Sequence, residues 1–365
     1  MNYAMICETP YQLLNILNFI YTETQYEDVI DIYINIVNNG MNNFYQKLRK
    51  NNRIRNICSY TSPQRSEGNL KYKYRRILEY FFPVASLNYS LSDKILNNKN
   101  LYDVIILAFP NPLVVNFCSI YSNADVWFIE DGTGSYHGRI GNAIDSNIAR
   151  LINPILHKGP EYIHPSRLYV YKPEICKSEY NDLKICRLNP VRQDSKYYIN
   201  IVEVFGNVSN KNDYRITYIS QPLNIKEYTV YERNIFKKIW GMESNLTVRI
   251  HPTEKLKDYL EYPELCVDDG SYQWEVQCET QISDNSILIG TCSTAQITPI
   301  LIYGKEPFLI FTLYLYKNVI PFDLLKRWEQ LVMDVKRLYA DPNKIFIPKN
   351  EAELLKCLKN LKNII

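Results

Sequence analysis

Glu130-Asp131-Gly132 follows Ala124–Ile129, a mostly apolar run that reads as a buried strand. Gly132 and Gly134 let the backbone turn just past the two acids. In open α/β sheets ligands bind outside the carboxyl ends of the strands, so carboxylates at such an end are candidates for chemistry. A carboxylate held there can take a proton from an attacking hydroxyl. Asp131 is the first candidate for that base and Glu130 the second. For a Glu-Asp-Gly taken alone, an acidic turn is the plainer alternative.

Two further stretches carry complementary groups. In Val248-Arg249-Ile250-His251-Pro252 the proline ends the ladder and leaves His251 at the strand tip. A histidine beside a departing phosphate can protonate it or, when charged, clamp it; the alternative is a cap on the next helix. Ile289-Gly290-Thr291-Cys292-Ser293-Thr294-Ala295 reads as strand, glycine turn and helix start. Ser293 and Thr294 fit an N-cap, and free N–H groups at a helix start also suit an anion. Most such starts are only caps. Asp268-Asp269-Gly270 is a second acid-acid-Gly, but no clear strand leads into it and a surface turn is the expectation. The loop Ser220–Asn224 contains no carboxylate, which leaves the base to Glu130 or Asp131.

The elements that must position these groups alternate. Tyr3–Cys7 reads as the first strand, and Thr9-Pro10 as the cap and first turn of a helix carrying Leu13, Leu14, Leu17 and Ile20. Val29–Val37, Arg53–Tyr60, Asp103–Phe109 and Ala124–Ile129 follow as strands, with helices near 41–50 and 113–121. No Gly-x-Gly-x-x-Gly follows the first strand, which argues against a dinucleotide site. From 153 to 202 the pattern weakens among scattered prolines and reads as irregular structure and a linker. A second α/β rhythm starts at Arg215–Ile219 and runs to a helix near Glu351–Lys362. The reading is α/β: two Rossmann-like domains, 1–200 and 201–365, with parallel sheets facing each other across a cleft, the GT-B architecture. The last helix is placed to pack back on the first domain.

The chain has 365 residues, 46% hydrophobic and 22% charged, with a net charge of +3, too near balance to imply nucleic acid. Its nine cysteines show no Cys-x-x-Cys spacing and no zinc pattern, which suits reduced thiols and a cytoplasmic compartment. No apolar run approaches the length of about 20 residues that a membrane span needs. The chain contains no Asp-x-Asp, the usual metal–sugar-nucleotide signature. Thirty-one tyrosines suit sugar stacking or a membrane interface without showing either. The cationic, aromatic stretch 70–82 reads as a solvated helix face or as a peripheral contact with the inner membrane face or an acceptor glycan.

Taken together, acid-acid-Gly, a later His-Pro and a later Ser/Thr pair, in this order, resemble bacterial sialyltransferases. Cys7-Glu8-Thr9-Pro10-Tyr11-Gln12-Leu13 is similar to the Cys-x-Thr-Pro-x-Gln-Leu start of glycosyltransferase family 52, the lipooligosaccharide sialyltransferase family. Some members of that family are assigned to hexose transfer. The resemblance implies a metal-independent, inverting transfer of sialic acid from CMP-sialic acid to terminal galactose of a capsule or lipooligosaccharide, in α-2,3 linkage and without a cofactor. It implies Asp131 or Glu130 as base and His251 at the leaving phosphate. Pro252, Gly290, Thr291, Ser293, Thr294, Ser220 and Gln221 would lie on the donor side, and Thr9, Gln12, Gly132 and His137 on the acceptor side. A homodimer is common in that family. The alternatives are a hexosyltransferase using a nucleotide-diphosphate sugar and a non-catalytic glycan-binding protein of the same fold.

Overall fold

The computed structural model describes residues 1–37, 39–61, 74, 81–92, 101–136, 163–177, 183–206, 214–223, 225–243, 245–251, 253–259, 261–263, 265–270 and 272–362. Pro252, His137 and nearly all of the 70–82 stretch lie outside them. The chain divides into two compact units, Met1–Val204 and Phe205–Ile365.

The first unit is built on a seven-stranded sheet, order β3-β2-β1-β4-β5-β6-β7. Its strands are β1 (Asn2–Cys7), β2 (Val29–Asn35), β3 (Asn56–Tyr60), β4 (Val104–Leu107), β5 (Asp125–Ile129), β6 (Arg167–Val170) and β7 (Lys184–Arg187). Every pairing is parallel. β1 and β4 are central and bury nearly every residue, as strands covered on both faces must. Helix α1 (Pro10–Glu23) starts where the sequence places it. The Thr9 hydroxyl accepts from Gln12 N at 3.2 Å, and Pro10 occupies the first turn, where no amide partner is needed. Helices α2 (Asn39–Leu48), α3 (Pro83–Ser90), α4 (Pro112–Ile120) and α5 (Tyr198–Phe205) follow.

The second unit has a six-stranded sheet, order β10-β9-β8-β11-β12-β13, also wholly parallel. Its strands are β8 (Ile216–Ile219), β9 (Thr247–Arg249), β10 (Cys266–Asp268), β11 (Ile287–Gly290), β12 (Phe308–Phe311) and β13 (Ile345–Phe346). Its helices are α6 (Lys226–Met242), α7 (Trp274–Gln281), α8 (Thr294–Thr298), α9 (Phe322–Leu338) and α10 (Glu351–Lys362). α10 is tied to the end of α6 by an ion pair of Lys362 with Glu243 at 2.6 Å.

Several expectations change. The stretch 153–202, read as irregular, contributes β6, β7 and most of α5. Strands of four residues between prolines are too short to show a period. The helix expected at Glu254–Leu260 is one 3-10 turn, Leu256–Tyr259, with Leu260 outside the described residues. The helix expected from Ser293 to Ile302 is α8 running into a π turn, Pro299–Tyr303. Pro299 has no N–H to give the preceding turn, so the ladder widens there, and Gly304 at φ +68° closes it.

Asp268 is not in a surface turn. It ends β10, is 4% exposed, and accepts from Arg249 at 2.7 Å and from the Tyr214 hydroxyl at 3.1 Å. Only the turn itself was legible: Gly270 takes φ +79°.

Candidate active site

Both sheets reverse their winding between two central strands, β1 and β4 in the first unit and β8 and β11 in the second. Crevices outside the carboxyl ends at such points are the usual ligand positions of open α/β sheets. Each reversal is bridged by side chains. In the first unit Asn111, the cap of α4, donates to Glu8 at the end of β1. In the second, Gln221 after β8 holds the backbone of Cys292 after β11. Its Oε1 accepts from Cys292 N at 2.9 Å and its Nε2 donates to Cys292 O at 3.2 Å.

The end of β5 separates the two adjacent acids. Glu130 is 0% exposed. Its Oε1 accepts from the Tyr11 hydroxyl at 2.5 Å, and its Oε2 from the Tyr171 amide at 3.0 Å and the Tyr136 hydroxyl. Burial pushes its carboxyl up to about 7, and those three donors only partly offset the loss of water. Asp131, one residue on, is exposed. Its amide donates to Ser135 Oγ at 2.8 Å, and its Oδ1 accepts from Gln12 Nε2 at 2.9 Å. Its carboxyl is also raised, because protein surrounds much of it, while the Gln12 bond opposes the rise. Gly132 then takes φ +80°, a backbone conformation glycine adopts without strain. Gly134 does not: it opens a 3-10 turn, Gly134–Tyr136, with open space where a side chain would stand.

Helix α1 supplies the support. Gln12, Asn15 and Asn18 are all buried, three residues apart on one face. Asn15 donates to the Glu130 carbonyl at 2.9 Å and accepts from the Tyr171 hydroxyl at 2.6 Å, and Asn18 donates to the same hydroxyl oxygen at 2.7 Å. Three amides at this spacing in an apolar helix were the missed signal in the sequence. Glu8 was also missed. It is held by Tyr60 at 3.0 Å and Asn111, and burial raises its carboxyl, with the Asp131 charge adding to the rise. Thr9, expected on the acceptor side, spends its hydroxyl on the helix cap.

In the second unit β9, β8 and β11 are consecutive in the sheet, so their ends bring His251, Ser220, Gln221, Gly290, Thr291 and Ser293 to one edge. His251 Nδ1 accepts from Thr253 N at 3.2 Å and lies 2.8 Å from Thr253 Oγ1. An amide can only donate, so the neutral ring carries its proton on Nε2. Burial lowers the His251 pKa, against the opposing charge of Glu254. Thr291 is 0% exposed and its hydroxyl meets that of Tyr228 at 2.7 Å, so it braces the strand end from below. Ser293 caps α8, accepting from Ala295 N at 3.3 Å, and both Ser293 and Thr294 stay part-exposed. Gly290 is tightly packed. A Cβ there would lie 3.0 Å from Gln296 Oε1 and 3.1 Å from the Ile219 carbonyl.

The carboxylate-free loop after β8 does have a carboxylate beneath it. Glu232, on the buried face of α6, accepts from Gln221 N at 2.9 Å, and burial lifts it to about 7. Among the described residues no three His, Cys, Asp or Glu side chains converge as a metal site would require. No described helix is long and apolar enough to cross a membrane.

No protein-family model matches the chain, and no curated protein matches it. Its path is similar to that of Phytolacca americana UGT2 complexed with UDP-2fluoro-glucose and pterostilbene. The TM-score is 0.52 at 7% identity, over 98% of this chain and 89% of that one. The fold is GT-B. LpCGTa in complex with UDP aligns at TM-score 0.50 and 9% identity, over 95% of this chain and 84% of that chain. A Listeria monocytogenes protein described as a UDP-N-acetylglucosamine 2-epimerase aligns at 0.50 and 8%, over 100% and 88%. At such identities the likeness speaks for the GT-B fold alone.

Proposed function

We propose that this GT-B chain is a glycosyltransferase using a nucleotide-activated sugar and, within that class, a sialyltransferase using CMP-sialic acid. The observation that carries the reading is Asp131: an accessible carboxylate at a strand end, oriented by the buried Gln12 and set apart from the buried Glu130. In an inverting transfer Asp131 takes the proton of the acceptor hydroxyl as its oxygen bonds to the anomeric carbon. The bond from that carbon to the phosphate oxygen breaks, and the nucleotide departs with the electron pair. His251, with a proton on Nε2, is suited to donate to the departing phosphate, and Ser293 and Thr294 offer hydroxyls to the same group. The acceptor is terminal galactose of a bacterial surface glycan, and no metal is required.

A second reading has its own support. The UDP and UDP-sugar complexes among the fold relatives favour a hexosyl donor carried by UDP. A thermal-shift panel of CMP, CDP, UDP and GDP separates the two. Stabilisation by CMP or CDP alone supports sialyl transfer, and stabilisation by UDP alone removes it in favour of the second reading. No response to any nucleotide points to a glycan-binding protein without transfer activity. EDTA is expected to leave the transfer rate unchanged.

A further inference from the structure

Gln12 is 1% exposed, on the first turn of α1, and both ends of its amide are engaged. Its Oε1 accepts from the backbone N–H of Glu8 at 2.8 Å, and its Nε2 donates to Asp131 Oδ1 at 2.9 Å. A backbone amide cannot accept. The side-chain carbonyl must therefore face Glu8 N, and the NH2 must face Asp131. A flipped amide would set N–H against N–H and oxygen against carboxylate, so the polarity of the contact is fixed by the main chain.

We propose that Gln12 is the positioning residue of Asp131, a rigid donor that fixes one carboxylate oxygen and leaves the other to meet the acceptor hydroxyl. This rests on Asp131 being the base, and it replaces the expectation that Gln12 itself touches the acceptor. The partners converge from three places: Glu8 follows β1, Gln12 opens α1, and Asp131 follows β5. Among the described residues Glu8 and the chain neighbour Glu130 both feel the charge of Asp131. Both are acids, so the Gln12 amide is the described group that favours the ionised form. Losing it leaves the effect of burial at Asp131 unopposed, so its proton is held more tightly.

The test uses the full-length protein with the donor identified by the nucleotide panel. Gln12→Met keeps the length of the side chain and removes the donor; Gln12→Glu replaces the donor with a like charge. The expected result is a 10- to 100-fold loss in kcat, with KM for the donor within about twofold. The acid limb of the pH–rate profile moves to higher pH, further in Gln12→Glu than in Gln12→Met. An unmoved acid limb in both variants, or a loss carried wholly in KM for the acceptor, overturns the proposal. A 13C titration of the Asp131 carboxyl provides a readout without turnover. Its midpoint is expected to rise in Gln12→Met, and an unchanged midpoint overturns the proposal even where activity falls through misfolding. An active Asp131→Asn would instead remove the base assignment, a failure the carboxyl titration would not show.

Discussion

Glu130 and Asp131 are adjacent in the chain, yet one is fully enclosed by two tyrosine hydroxyls and a backbone amide while the other is open to solvent. Adjacent residues at the start of α1 meet the two acids separately: Tyr11 donates to Glu130 and Gln12 to Asp131. Glu130 turns inward toward Tyr11 and the loop after β6, and Asp131 turns out to solvent with one oxygen held by Gln12. Of the two acids Asp131 is the one open to solvent, and on the proposed reading Glu130 belongs to its support.

Their substitutions are expected to differ in kind. Asp131→Asn removes the proposed general base and should lower kcat by about 100- to 10,000-fold with the melting temperature little changed. Glu130→Gln keeps the shape and most of the hydrogen bonds, and should retain activity within about tenfold. Steady-state kinetics on both variants decide the point. Equal losses would contradict the assignment, and a larger loss in Glu130→Gln would reverse it.

Glu130 also makes a prediction for stability. Its carboxyl rises from 4.5 to about 7 on folding, so the folded state holds the proton more tightly than the unfolded chain. This favours folding below pH 4.5, and the advantage disappears as pH rises through 7. The difference is about 3 kcal/mol across that window. Glu130→Gln has nothing to ionise. In urea unfolding between pH 5 and pH 8, its stability should therefore decline less than that of the parent. Parallel declines would mean that the buried carboxyl is not the cause.

Much of this fold was legible because long elements carry periodicity. The capped start of α1, the apolar run of β1 and the helices α6, α7, α9 and α10 of the second half fell within a few residues of their positions. What was hidden depends on packing. The missed strands β6, β7, β10 and β13 are short and, unlike the equally short β4, β8 and β11, are not wholly buried, so no apolar run marks them and their place is decided by the neighbours they pair with. The burial of Glu130 was invisible for the same reason: its donors Tyr11, Tyr136 and Tyr171 are distant in sequence or across a turn. The tyrosine surplus has a structural use that composition did not suggest. Hydroxyls of Tyr60, Tyr102, Tyr218, Tyr259 and Tyr214 serve Glu8, Asp31, Glu232, Glu254 and Asp268, replacing water around half-buried and buried acids.

The ion pair of Arg249 and Asp268 yields the last prediction. Both partners are largely enclosed, at 13% and 3% side-chain exposure, and Arg249 also donates to Gln277 Oε1 at 3.0 Å and the Tyr272 carbonyl at 3.2 Å. A pair so placed loses much of its attraction to desolvation, so its net worth is small while it is intact. Removing one partner is different, because the other charge stays buried without the group that pairs with it directly. Asp268→Ala leaves the guanidinium without its hydrogen-bonded carboxylate, with Glu275 as a more remote acid that feels its charge, and should cost about 3–5 kcal/mol in chemical unfolding. Joint replacement, Asp268→Leu with Arg249→Met, should cost less than Asp268→Ala alone. If Asp268→Ala instead costs under about 0.5 kcal/mol, the value of a surface position, the pair is not enclosed and the turn reading of Asp268-Asp269-Gly270 returns.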